Sequence, residues 1–408
     1  VKPRPRFSRP FRASLVIFIL AGLLARLAPA TTAAQAGGIS LAVRAGFDTY
    51  YKDTHWVPVR ISVANDGPDA KGTLGIVAPR NDGTRVTFTR AVELPTQSRR
   101  ELFMYVPIEG YVSKLDVTLE DGKNKLAPTA SVRLTQASPT DLIYGVLAGS
   151  QSSFNGLGDV DPVNGSAYVA HLELGDLPPL GQGWHGLDVL VMSDVDTGAL
   201  TPEQRAALSG WVTGGGHLIV AGGPGWQKTA AGVSNLLPLI PSNTRTLADL
   251  SSLATFASST QPVGSAVAAV GSLAPNAVIL NSADNLPLVV TRHQGLGQVT
   301  FLAVDPSFAP LKGWDGVAGM FRNLLSTTTD RPSWADGLRN WYTARDAVNA
   351  LPGLDLPSTW QICGFLGLYI VVIGPLNYLV LRRLRRRELA WVTIPALVLV
   401  FSGATYLT

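Results

Sequence analysis

Three aspartates that follow predicted strands are the residues of this chain best placed to do chemistry: Asp194, Asp196 and Asp305. They fall at the carboxyl ends of strands, together with the glycines Gly222 and Gly223 and the indole of Trp226. Ligands of open α/β sheets bind beyond that edge. Carboxylates gathered there would hold a cation, accept hydrogen bonds from a sugar hydroxyl, or divide acid and base work if burial raised one pKa. Trp226 would then be a stacking surface, and His217 a third partner in a hydrolase. An aspartate after a strand serves equally well as a helix cap or a loop tie through backbone N–H groups. Both readings of these residues stand at the level of sequence.

Other chemistries are narrower. The single cysteine, Cys363, lies in an apolar segment, so the preceding part of the chain has no thiol nucleophile, disulfide or cysteine metal site. The five histidines, His55, His171, His185, His217 and His293, form no H-x-x-x-H or H-E-x-x-H pair. His171 and Glu173 share a strand face but lack a third ligand, so no metal and no cofactor is expected. The glycines at 214–216 and 222–225 match neither a P-loop nor a full dinucleotide fingerprint, and read as a helix stop and a tight turn. The formal charge of +4 is concentrated at the ends. Six Lys and Arg lie at or before Arg26 and five in 382–387, which leaves 22 against 28 acidic residues in between. Nucleic acid requires basic residues gathered on one face, and no nucleic-acid partner is expected.

The elements that would carry these residues follow from periodicity. From Ile39 to Gln136 short alternating strands, such as Val57, Val59, Ile61 and Val63, are separated by turns such as Asn65-Asp66-Gly67-Pro68, the pattern of an all-β sandwich. Near Asp141 the pattern changes. Apolar strands are expected over Ile143–Ala148, Leu187–Met192 and His217–Ala221, with a helix between the last two. Its start is marked by Thr201 as N-cap, Pro202 and Gln204, its buried stripe by Leu208, Trp211 and Val212, and its end by Gly214. Strand, helix and strand make a βαβ unit and hence a mostly parallel sheet. Two more strands are expected at Leu286–Thr291 and Gln298–Val304. Residues 241–280, rich in Ser, Ala and Thr, read as an unpatterned excursion.

Two stretches carry a family resemblance. The run "WVPVRISVANDG" resembles the opening of immunoglobulin-like domains in bacterial envelope proteins. The order "LDVLVMSDVDTGALTPEQRAALSGWVTGGGHLIVAGG", followed by "HQGLGQVTFLAVDPS", resembles the class I glutamine amidotransferase-like fold over about 141–328. It is closest to the branch found in membrane-anchored envelope proteins. Active members of that fold carry a cysteine on a tight turn after a central strand. Here the turn reads Ala221-Gly222-Gly223-Pro224-Gly225, with no Cys or Ser, so the resemblance implies a catalytically silent domain.

Arginines frame the whole. Lys2, Arg4, Arg6, Arg9 and Arg12 precede an apolar run and then Ala34-Gln35-Ala36, the order of a secretory signal peptide. Arg382, Arg383, Arg385, Arg386 and Arg387 separate two apolar stretches, Ile362–Leu381 and Leu389–Leu407, and serve as a topology anchor. The expected plan is a signal peptide (1–36), an Ig-like β-sandwich (37–138) and an amidotransferase-like α/β domain (139–330). A juxtamembrane helix and linker (331–359, with Trp334–Ala350 helical) leads to transmembrane helices 360–381 and 389–408 around the cytoplasmic loop 382–388. Residues 37–359 would lie outside a bacterial cytoplasmic membrane. The expected partners are the lipid bilayer, a membrane or envelope protein and a glycan, with Asn377 either contacting that protein or joining the two helices of the hairpin. The expected role is non-enzymatic binding or an accessory role, with an extracytoplasmic hydrolase or carbohydrate-binding protein as the alternative.

Overall fold

A computed structural model describes residues 34–36, 38–80, 82–122, 124–162, 165–326 and 359–407. The signal peptide up to residue 33 and the helix and linker expected over 331–358 lie outside the described residues. The chain divides into two compact units, Val1–Asp336 and Gly337–Thr408.

The first unit begins with a β-rich region. Its strands are β1 (Ala34–Ala36), β2 (Ile39–Ala45), β3 (Tyr50–Lys52), β4 (Trp56–Asn65), β5 (Ala70–Pro79), β6 (Arg85–Leu94), β7 (Ser98–Pro107), β8 (Lys114–Asp121), β9 (Asn124–Lys125), β10 (Ala130–Arg133) and β11 (Thr135–Ala137). The order β1-β2-β4-β7 makes one antiparallel sheet and β10-β8-β5-β6 a second. The alternating residues Val57, Val59, Ile61 and Val63 of β4 share one core with Leu74 and Ile76 of β5 and Val117 and Leu119 of β8. The motif Ala34-Gln35-Ala36, read as a cleavage site, is itself the edge strand β1, paired with Ile39–Leu41.

The rest of the unit is built on a seven-stranded sheet. Its strands are β12 (Leu142–Ala148), β13 (Ala167–His171), β14 (Val189–Ser193), β15 (His217–Ala221), then, after the hairpin β16 (Leu239–Leu247) and β17 (Ala266–Leu273), β18 (Val278–Ala283), β19 (Leu286–Gln294) and β20 (Gly297–Leu302). The order is β13-β12-β14-β15-β20-β19-β18. The four ladders from β13 to β20 are parallel. The two from β20 to β18 are antiparallel, so the sheet is mixed. The β19–β20 ladder is closed by the tight turn Gln294–Gly297, where Gly295 has φ +64° and a Cβ would sit 2.4 Å from the Thr213 carbonyl oxygen.

The helix between β14 and β15 spans Pro202–Thr213 and starts with the expected reciprocal cap between Thr201 and Gln204. Residues 241–280 are not the unpatterned excursion read from sequence. They hold most of the β16–β17 hairpin, the helix Ser251–Phe256 and the start of β18. The buried positions there include Ala266, Ala268 and Ala269, whose small side chains hide the alternation.

Buried polar contacts fasten the β-rich region to the mixed sheet. Lys52, only 4% exposed, donates to both carboxylate oxygens of Asp188 at 2.9 and 2.7 Å. Asp188 also accepts the backbone N–H of Ile143 at 2.8 Å. The Arg60 guanidinium bridges Glu101 (2.7 Å) and Asp176 (3.0 Å), and the Tyr105 hydroxyl accepts from the N–H of Leu180.

In the second unit, the helix Thr359–Val371 passes through a π-helical turn, Val372–Leu376, into the helix Asn377–Arg383. Pro375 lacks an N–H to donate, and the wider turn accommodates it. Trp360–Arg383 is, among the described residues, the one helix long and apolar enough to cross a membrane, with mean hydropathy 1.9. The return helix, Ala390–Leu407, rests Phe401 against Phe365 and Tyr369 at ring-centroid distances of 5.5 and 5.2 Å.

Removing one partner of a buried ion pair strands the other charge. In the full-length chain, Lys52→Met is expected to lower unfolding stability by about 3 kcal/mol. Lys52→Met with Asp188→Leu should recover part of that loss. Equal melting of wild type and Lys52→Met would show that the pair holds nothing together.

Candidate functional site

The sequence places Asp194, Asp196, Gly222, Gly223, Trp226 and Asp305 at the carboxyl edge of the sheet, and the strand ends do bring them there. Ser193 ends β14, Ala221 ends β15, and the chain beyond β20 runs on to Asp305. Backbone bonds continue past the strands: Gly222 N–H donates to the Leu302 carbonyl (2.7 Å), Gly223 N–H to that of Ala303 (2.9 Å), and Gly149 N–H to that of Ser193 (3.1 Å).

Asp305 is buried at 3% exposure within a closed hydroxyl cluster. Its Oδ1 accepts from Ser193 Oγ (2.7 Å), Ser307 Oγ (2.7 Å) and the Ser307 N–H (2.8 Å). Its Oδ2 lies 2.9 Å from Ser193 Oγ, and the two hydroxyls lie 3.0 Å apart. Burial pushes the Asp305 carboxyl above the ordinary aspartate range. The hydrogen bonds from Ser307 and Ser193 oppose that rise, and the nearby Asp194 charge adds to it. Gly223, at φ +59°, is required by this approach, because a Cβ there would stand 2.7 Å from the Asp305 Cβ.

Asp194 adopts a left-handed backbone (φ +51°) and pairs with Lys228 Nζ at 2.7 Å. Its carboxylate sits in a notch made by two missing side chains. A Cβ on Gly149 would lie 3.0 Å from Oδ2, and one on Gly225 2.5 Å from Oδ1. Asp196 is the cap of a short 3-10 turn, accepting the N–H of Gly198 at 3.0 Å. Trp226 is half-buried, packs partly against the core, and has its indole N–H buried and unpartnered.

Several expectations are corrected here. His217 opens β15 and pairs in register with Gln298 at the start of β20, so it stands at the amino ends of the strands, opposite Asp194 and Asp305. It bonds Thr300 Oγ1 at 2.9 Å, and burial, aided by the charge of His293, lowers its pKa to about 3. It cannot serve a hydrolase with those aspartates. Trp184 offers no face to a carbohydrate, since it is fully buried against Trp211 and donates to the Pro178 carbonyl. Glu173 does not share a strand face with His171, because β13 ends at His171, and it pairs with Arg44 (3.3 Å). Among the described residues no three His, Cys, Asp or Glu side chains gather in a way that could hold a metal ion.

Sequence reasoning missed Ser307 and Lys228. Asp-Pro-Ser at 305–307 carries a local signal, since an aspartate commonly accepts the N–H two residues on. Lys228 carries none, because its partner lies 34 positions away and meets it only through the fold. The remaining candidates lie in the second unit: Asn377, half-buried, begins the helix after the π-helical turn, and the five arginines form the reversal that follows.

Comparison with known proteins adds one family and several distant folds. The model of a family described as a domain of unknown function (DUF8726) matches residues 38–135, the β-rich region. No curated protein matches the sequence. Among solved structures, cytoplasmic protein STM3548 from Salmonella typhimurium is similar at 14% identity and TM-score 0.34, covering 53% of this chain and 95% of that one. Cytoplasmic protein STM1381 of Salmonella typhimurium LT2 gives 15% and 0.34, covering 53% and 96%. The exo-beta-1,4-mannosidase Op5Man5 from Opitutaceae bacterium strain TAV5 gives 14% and 0.29, covering 47% and 36%.

A carboxyl whose folded pKa lies above its unfolded value adds stability at low pH and loses that contribution as pH rises through the folded pKa. Wild type should therefore exceed Asp305→Asn in melting temperature by more at pH 4 than at pH 7. At either pH Asp305→Ala should cost about 2–3 kcal/mol, because two buried hydroxyls lose their acceptor. A wild-type advantage that grows toward pH 7 would contradict the raised pKa.

Proposed function

We propose that this chain is a non-catalytic, membrane-anchored envelope protein whose extracytoplasmic part, residues 37–359, binds a partner in an accessory role. The observation that carries the reading is the state of the sheet edge: each of its three carboxylates is already committed. Asp305 is closed in with Ser193 and Ser307, Asp196 caps a turn, and Asp194 is held by Lys228. Asp305, 3% exposed, is out of a substrate's reach, and Asp194 and Asp196 already meet a cation and a backbone N–H.

In this reading the β-rich region is an Ig-like sandwich and residues 139–330 are an amidotransferase-like domain that lacks the nucleophile. Two features support that reading: the parallel ladders β12–β14–β15–β20, and the turn Gly222-Gly223-Pro224-Gly225, which has no hydroxyl or thiol to attack a carbonyl. The apolar helix Trp360–Arg383 is the anchor, the arginine turn is its cytoplasmic end, and Ala390–Leu407 returns across the bilayer. The accessory role, as a subunit beside a membrane transporter, is a reading by fold analogy. Asn377 supplies the intramembrane contact, because an amide within a bilayer takes its hydrogen bonds from a neighbouring helix.

In-membrane cross-linking of the tagged full-length chain, followed by mass spectrometry, tests this role. A stoichiometric membrane partner is expected, with recovery reduced by Asn377→Leu. Absence of any reproducible partner would count against the accessory role. Hydrolysis of an envelope glycan by the purified chain, lost in Asp194→Asn, would overturn the non-catalytic reading.

A further inference from the structure

The arginine turn is more than a run of charge, because its backbone gathers four of the arginines around one recess. The helix Asn377–Arg383 closes with the N–H of Arg386 donating to the Leu381 carbonyl (3.1 Å) and that of Arg385 to Arg382 (3.2 Å). This paired closure places one residue in the left-handed region, a position that usually belongs to glycine. Here it is Arg385, at φ +55°. A long cationic side chain stands where the backbone favours none. The chain then turns through Arg387–Leu389 into the return helix.

The result is a recess of about 580 Å³ lined by Arg382, Arg385, Arg386, Arg387, Glu388 and Leu389. Four arginines line it with a single glutamate. Among the described residues none of these arginines has a carboxylate within ion-pair distance, whereas Arg44, Arg60, Arg80 and Arg99 of the first unit all do. Arg387 also lies over the Tyr378 ring, 5.8 Å from its centre, so its position is held by an aromatic face. Like charges this concentrated call for an anion, and planar guanidinium forks match phosphate oxygens bidentately. Apolar surface borders the recess: Leu384, Leu389 and Tyr378 are all exposed, and the two apolar helices lead away from it.

We propose that this turn binds the phosphate of an anionic lipid headgroup, with the lipid's chains lying along the two helices. The proposal rests on the membrane reading given above and adds a specific ligand class to it. A free inorganic phosphate shares the headgroup's chemistry but not the apolar border.

The test is native mass spectrometry of the full-length chain in detergent, titrated with phosphatidylglycerol and, separately, phosphatidylcholine. It compares wild type with a variant carrying Arg382→Lys, Arg385→Lys, Arg386→Lys and Arg387→Lys. That variant keeps every charge, and therefore the orientation set by charge, but removes the guanidinium forks. Wild type should retain phosphatidylglycerol in preference to phosphatidylcholine, and the lysine variant should lose that preference by about tenfold in affinity. Equal uptake of both lipids by wild type, or an undiminished preference in the lysine variant, would overturn the site. Displacement of the lipid by millimolar inorganic phosphate would overturn the lipid as its source. Carbonate extraction of the source membranes separates the two levels: release of the chain would defeat the membrane reading, while retention without lipid preference would defeat only this proposal.

Discussion

A lysine ammonium buried at the join between two folded regions constrains the rest of the first unit. Lys52 is shut away from water and must have its charge matched where it stands, because a stranded buried charge costs several kcal/mol (about 3–5). Asp188 meets it with both oxygens and at the same time takes the N–H of Ile143, while the Asp188 carbonyl accepts the N–H of His217. One residue thus ties the β-rich region to the amino ends of β12, β14 and β15. Arg60, between Glu101 and Asp176, adds a second fastening, and Gly175 is kept bare because a Cβ there would come within 2.5 Å of that guanidinium. The β-rich region and the mixed sheet are joined by specific pairs, which leaves the sheet in a fixed setting.

The carboxyl ends of the same strands are closed differently. Ser193, Asp305 and Ser307 satisfy one another inside the protein, so the place where an α/β sheet usually receives its ligand holds a finished hydrogen-bond cluster. Asp194 and Lys228 lie at the margin of that cluster, partly in solvent. The glycines around them serve as spacers: Gly149 and Gly225 leave room for the Asp194 carboxylate, and Gly223 for the Cβ of Asp305. Residues that would suggest catalysis in the sequence are, in three dimensions, the fittings that hold the loops to the sheet.

Much of this architecture was legible from residue order. The cap Thr201–Gln204, the helix Pro202–Thr213 and the strand His217–Ala221 follow from local signals that act over a few residues, and they appear as read. Alternation at Val57–Val63 likewise predicts β4. The hairpin β16–β17 was hidden because alanines line its buried face and give periodicity little apolar contrast to detect. The placement of β18 at the far edge of a mixed sheet depends on which strands pair, which is a long-range property. For the site, the sequence indicated the right edge but not the state of its carboxylates. Whether an aspartate is exposed in a cleft or buried against serines is decided by the packing of β14 against the segment after β20, more than a hundred residues away.

The closed state of that edge is the central claim, and amide hydrogen exchange in the full-length chain measures it most directly. The N–H groups of Gly222, Gly223 and Gly149 are bonded across the edge, and that of Ser307 donates to the buried Asp305 carboxyl. They are expected to exchange as slowly as the interior amides of β14 and β15, in one cooperative unit with them. Exchange at the rate of exposed loops, with β14 and β15 still protected, would contradict the account and reopen the edge as a ligand site.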